Sequence, residues 1–149
     1  MKDMTEQERT SYALKGNVDA IAFCNMYFRV CQIWDDLIDK DKDLSDSQIN
    51  NAFIEAMIEM PNNLFFQHYR VYLTPIMLNG ILDWQASVSM ERTEDEHQKM
   101  VAYTLRDSFN NIVLHCAYLI GGKGWVESIN HDYRLAVFDE PLESYKEKL

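Results

Sequence analysis

Turn-forming residues are scarce in this sequence, with five Gly and three Pro among 149 residues. That frequency is too low for an all-β chain with its many turns, and a composition that is 47% apolar is best used by helices around one core. Positive charge is also short. Lys and Arg number 14 against 24 Asp and Glu, a formal net charge of −10. Phosphate backbones and anionic headgroups repel such a chain, which argues against a nucleic-acid or membrane-surface role and leaves it suited to a cation. The only cysteines, Cys24, Cys31 and Cys116, are odd in number, lie in apolar runs and show no CxxC or Cys/His zinc spacing. They read as reduced core residues of a cytoplasmic protein. No uninterrupted apolar run is long enough to span a membrane, and the polar start MKDMTEQERT lacks the pattern of a secretory leader. Neither secretion nor membrane insertion is expected.

What is present is helical periodicity. Residues 1–15 are polar, either a short helix or a loosely ordered arm. From Asn17, a candidate N-cap, the chain runs to Asp39 without Gly or Pro, with Val18, Ile21, Cys24, Phe28 and Cys31 at helical spacing. Ser45 and Gln48 form a capping-box pattern, and Ile49, Ala52, Phe53, Ala56, Met57 and Met60 make an apolar stripe behind it. Pro61, Asn62 and Asn63 stop that helix. The next, Leu64 to about Arg92, is apolar on nearly all sides, which predicts a central position, with a kink near Pro75. Thr93 and Glu96 predict a capping box for a fourth helix ending at Gly121, Gly122 and Gly124, and a last helix covers Trp125 to about Phe138. The expectation is an all-α fold: one domain, residues 1–149, built as a single bundle of about five helices. Short connections make successive helices antiparallel, so the first and third long helices would have their carboxyl ends at one end of the bundle.

The segment Asp35-Asp36-Leu37-Ile38-Asp39 carries the most specific chemistry. On a helix, Asp35 and Asp39 share one face with Asp36 beside them, and the carboxyl end of a helix favours a cation. Hard oxygens of this kind suit Mg2+, which keeps waters and shares substrate phosphates. The plainer reading is a solvated acidic helix end, although Val30, Cys31, Ile33, Trp34, Leu37 and Ile38 frame the acids with apolar side chains. Asp83, Ser87 and Glu91 fall at i, i+4 and i+8, one helical stripe. Two further polar stripes are Arg29, Gln32 and Asp36, and Asp107, Asn111 and His115. Either lines a polar cavity or faces water.

The first segment resembles the aspartate-rich DDxxD motif of the class I isoprenoid synthases, the helical enzymes that include polyprenyl diphosphate, squalene and terpene synthases. The trio Asp83, Ser87 and Glu91 is similar to the second metal motif of terpene synthases. The stretch MVAYTLRDSFNNIVLHCAYLIGG resembles the prenyltransferase helix with a Tyr and a basic residue, positions taken here by Tyr103 and Arg106. The resemblance implies an isoprenoid-synthase-like fold in which Asp35, Asp36 and Asp39 bind Mg2+ opposite Asp83, Ser87 and Glu91. Arg106 would hold the diphosphate of a small molecule, with Tyr27, Phe28 and Trp34 either walling a cavity or packing as core. If catalysis is retained, it implies a Mg2+-dependent prenyl diphosphate transferase or lyase. The chain is far shorter than that family's members and has no second DDxxD, which marks a small or degenerate relative whose cavity a second subunit would complete.

Two other functions fit the same residues. One is a non-enzymatic helical interaction protein, a homo-oligomer with a degenerate site; the other is a metal-dependent phosphohydrolase. A calcium loop at Asp39, Asp41 and Asp43 fails, because Leu44 stands where the turn needs Gly and Asn50 where the closing carboxylate belongs. His68, His97, His115 and His131 are dispersed and lack partners at ligand spacing.

Overall fold

The computed structural model describes residues 1–149 and contains helices and no strand. In chain order these are α1 (Glu6–Ala13), α2 (Val18–Asp39), α3 (Asp46–Ile54), α4 (Met60–Asn62), α5 (Leu64–Glu91), α6 (Glu96–Leu105), α7 (Asn111–Val137) and α8 (Leu142–Glu147). They form two compact units, one of residues 16–70 and one of residues 1–15 with 71–149. No helix is long and apolar enough to cross a membrane.

In the 16–70 unit, Asn17 caps α2 as its sequence position predicts, its Oδ1 accepting from the Ala20 N–H at 3.0 Å. The buried face of α2 runs through Ala20, Phe23, Cys24, Tyr27 and Cys31, while Val18 is exposed. Phe66 meets Phe23 at 5.3 Å between ring centres. The expected capping box of Ser45 and Gln48 is present in both directions. Beyond Ile54 the helix widens into a π turn over Glu55–Glu59 before α4. Pro61 explains this: it offers no N–H to the carbonyl four residues back and its ring crowds that carbonyl, so the preceding turn opens to i+5 bonding. The apolar stripe is split as a result. Ala52 and Met60 are buried, but Phe53 and Met57 are 60% and 67% exposed, and Glu55 turns instead toward α2, where Arg29 grips both its oxygens at 2.9 and 3.2 Å. Asn63 then caps α5, accepting from the Phe66 N–H and donating to the Asp19 carbonyl.

The break in α5 comes at Tyr69 (φ −111°, ψ 19°) and not at Pro75. The expected central placement of α5 also differs from what is found. Leu73, Trp84, Ser87 and Val88 are buried, whereas Val71, Leu78 and Leu82 are 85%, 54% and 52% exposed.

In the unit of residues 1–15 and 71–149, residues 6–13 form a helix packed on α7. Leu14 and Ala13 are fully buried, and the Trp125 indole N–H donates to the Ala13 carbonyl at 2.9 Å. The fourth helix starts later than expected, with Asp95 as its cap in place of Thr93, whose hydroxyl donates to the Met90 carbonyl. It is also divided: α6 ends at Leu105, a 3-10 turn covers Ser108–Asn110, and α7 follows. Gly122 (φ 80°, ψ −176°) breaks α7 where the glycine cluster predicts a boundary. The charged tail forms α8, packed on α6, with Tyr145 buried; Leu142 and Tyr145, three apart after Pro141, are the only sequence sign of it.

Candidate functional site

The residues nominated by the sequence divide between the units. Asp35, Asp36 and Asp39 belong to residues 16–70; Asp83, Ser87, Glu91, Tyr103 and Arg106 belong to the other unit.

Helix α2 ends where Lys40 adopts the left-handed conformation (φ 57°) and its N–H bonds the Asp36 carbonyl. The last turn holds no basic residue, so acids sit against the negative end of the helix. Asp36 is only 6% exposed. Its Oδ1 accepts from the Gln32 amide at 3.1 Å, and Lys42 Nζ lies 3.9 Å from the same oxygen. Asp35 is half-buried and Asp39 exposed. Burial, reinforced by the Asp35 charge, pushes the Cys31 thiol up to about 12 against the pull of its hydrogen bond with Tyr27, so Cys31 stays a neutral thiol at physiological pH. The stripe Arg29, Gln32 and Asp36 serves two contacts: Arg29 holds Glu55 and Gln32 holds Asp36.

The second group is engaged within its own unit. Asp83 Oδ2 accepts from Ser108 Oγ at 2.7 Å and from the Asn79 amide at 3.1 Å. Ser87 is buried and donates to the Trp84 carbonyl in its own helix. Glu91 Oε1 accepts from the Tyr145 hydroxyl at 2.6 Å, and burial raises that phenol well above its ordinary value, with the Glu91 bond adding to the rise. Arg106 pairs with Glu140 at 3.7 Å and lies 4.8 Å from the Tyr145 ring centre; Tyr103 donates to the Glu140 carbonyl. In neither unit do three or more His, Cys, Asp or Glu side chains gather closely enough to hold a metal ion.

The other polar stripe reaches a pocket that the sequence reading does not place. Asn111 Oδ1 accepts from Arg134 at 2.9 Å, and His115 Nδ1 is 2.8 Å from the Tyr72 hydroxyl. His115, Tyr72 and Arg134 line a cavity of about 270 Å3, and Asn111 meets it through Arg134. Burial, then the Arg134 charge, lowers the His115 imidazole, which keeps it neutral at pH 7. Tyr72, Tyr118 and Arg134 are among the residues that sequence reasoning missed. The available signal was the pair of polar spacings Asn130/Arg134 and His115/Tyr118 on either side of the glycine cluster.

Comparison with protein-family models, curated proteins and solved structures gave no match.

Proposed function

We propose that this chain is a helical protein that binds a Mg2+–diphosphate group at the carboxyl end of α2, a small isoprenoid-synthase-like relative whose ligand class is a prenyl diphosphate. The observation that carries the reading is Asp36: a nearly buried acid at a helix carboxyl end, with both its protein contacts on one oxygen. Mg2+ needs only one or two protein carboxylates, because water and substrate phosphate complete its shell, so three converging acids are not required. Asp36 and the exposed Asp39 would supply those oxygens, with Gln32 fixing the Asp36 carboxylate in place. When bound, Mg2+ would neutralise diphosphate charge as a Lewis acid. Calorimetric titration of Mg2+ with pyrophosphate should give binding in the native chain that needs the metal, and Asp36→Ala should weaken it at least about tenfold, the loss of one charged contact. Metal-independent heat, or equal binding by Asp36→Ala, defeats this reading.

A second reading, self-association, is favoured by α5. From Val71 to Leu82 the helix has no charged residue, and the exposed Val71, Leu78 and Leu82 follow the seven- and four-residue spacing of a helix-pairing seam. On a chain of net charge −10, this face lets a second copy approach without like-charge repulsion. Sedimentation should then show a dimer that Leu78→Glu with Leu82→Glu converts to monomer; a monomeric native chain ends the argument.

A further inference from the structure

The Mg2+ reading makes no use of the cavity in the unit of residues 1–15 and 71–149. Its wall comes from α5 and from both halves of α7, which Gly122 redirects. Leu114 and Val126 give it apolar surface, and Tyr72 and Tyr118 add two nearly parallel rings, 15° apart in plane with centres 6.3 Å apart. At about 270 Å3 it is smaller than the roughly 300–1,000 Å3 typical of drug-sized ligands. A metabolite-sized body fits.

Its polar side is unusual for so acidic a chain. Arg134 is held in position by two neutral acceptors, Asn130 Oδ1 at 2.8 Å through Nε and Asn111 Oδ1 at 2.9 Å through Nη1. It makes no ion pair, whereas Arg29 and Arg106 each have a carboxylate within 4 Å. Glu127, the acid on the cavity wall, is drawn toward Lys123 at 3.7 Å. Asp107, whose carboxylate interacts with Arg134 at longer range, is bonded to the Asn110 amide and forms no ion pair with that arginine. Arg134 therefore offers a guanidinium held by neutral acceptors, with no carboxylate in direct contact and Nη2 outside both asparagine bonds. Beside it, His115 is neutral and tied to the Tyr72 hydroxyl through Nδ1. The Tyr72 hydroxyl can donate to Nδ1, the tautomer that leaves the proton on Nε2 as a second donor from a residue of the cavity wall. A fixed guanidinium fork with a neutral imidazole donor suits a planar or tetrahedral oxyanion, and the rings with Leu114 and Val126 suit an apolar body attached to it.

We infer that this cavity is a binding site for a small anion with an apolar body, a carboxylate or a phosphate monoester, with Arg134 and His115 holding the oxyanion and Tyr118, Leu114 and Val126 the body. The site is independent of divalent metal and of the α2 acids.

The test is ligand-observed NMR and calorimetry on the full chain in EDTA, with benzoate and phenyl phosphate as anionic probes and benzamide as the uncharged match of benzoate. Saturable binding of either anion is expected, with benzamide at least about tenfold weaker, the factor one charge-assisted contact gives. Arg134→Gln, which keeps an amide donor for Asn111, should lose at least about tenfold, and Tyr118→Ala, away from the arginine network, about fivefold. Asp36→Ala should bind as the native chain does, which separates this site from the Mg2+ reading. Circular-dichroism melts establish that each variant is folded. No saturation by either anion up to about 10 mM, equal affinity for benzamide, or unchanged binding by folded Arg134→Gln overturns the assignment.

Discussion

Asp107→Asn should make the protein more stable at neutral pH by about 2–3 kcal/mol, and that advantage should vanish as the pH falls toward about 4. Burial is the main cause, raising the Asp107 carboxyl from 3.8 to about 6, while the Asn110 bond and the Arg106 and Arg134 charges oppose it only in part. The folded state thus holds this proton more tightly than the unfolded chain does. Above about pH 6 both states are ionised and folding bears the full cost of burying the charge; below about 4 both are protonated and the cost is gone. Asparagine is close in shape, keeps an oxygen for the Asn110 amide now 2.9 Å away, and has no charge to bury. Denaturant melts of both proteins between about pH 4 and 7.5 would isolate this group, because every other carboxylate cancels in the difference. A difference that stays flat with pH, or a less stable Asn variant at pH 7, would show that Asp107 is not the desolvated acid described.

The other large effect should come from the glycines of α7, which fail for different reasons when a methyl is added. A Cβ on Gly121 would lie 2.4 Å from Trp125 Cδ1 and 2.8 Å from Trp125 Cβ. The second contact is at the root of the side chain, so turning the indole cannot relieve it and the helix must shift. Overpacking of this kind costs about 1–3 kcal/mol. It should also loosen α1, since the displaced indole is the group that bonds the Ala13 carbonyl, lies against Tyr12 and sits under the Lys15 ammonium at 4.5 Å. Gly122→Ala meets no neighbouring atom, yet its φ of +80° with ψ near 180° is open essentially to glycine alone, a strain of about 1–3 kcal/mol. Thermal melts should show both losses, while faster amide exchange across residues 6–15 and altered indole emission should mark Gly121→Ala. Equal protection of α1 in the two variants would separate Trp125 from its anchoring role.

Much of the helical plan was legible because it is local. Asn17, Ser45 with Gln48, and the stop at Pro61 to Asn63 act through groups within four residues, and the structure uses each as its spacing suggests. Where two local signals competed, sequence could not rank them: Asp95 and Thr93 can both cap, and the helix begins from Asp95. The stripes were harder still. Phe53 and Met57 were expected to be core, but Glu55 meets Arg29 across 26 residues and the π turn rotates the face, so burial went to Ala52 and Met60.

The sequence by itself determined an all-helical chain, the carboxyl-terminal acids of α2 and the glycine break in α7, since each follows from composition, spacing or a backbone angle that only glycine tolerates. The tertiary structure alone decided that α5 leaves Val71, Leu78 and Leu82 uncovered, that Asp83 and Glu91 are taken up by Ser108 and Tyr145, and that Arg134 and His115 come to one cavity. Those outcomes depend on which surfaces meet across long stretches of chain, where contacts are set by packing rather than by the order of neighbouring residues.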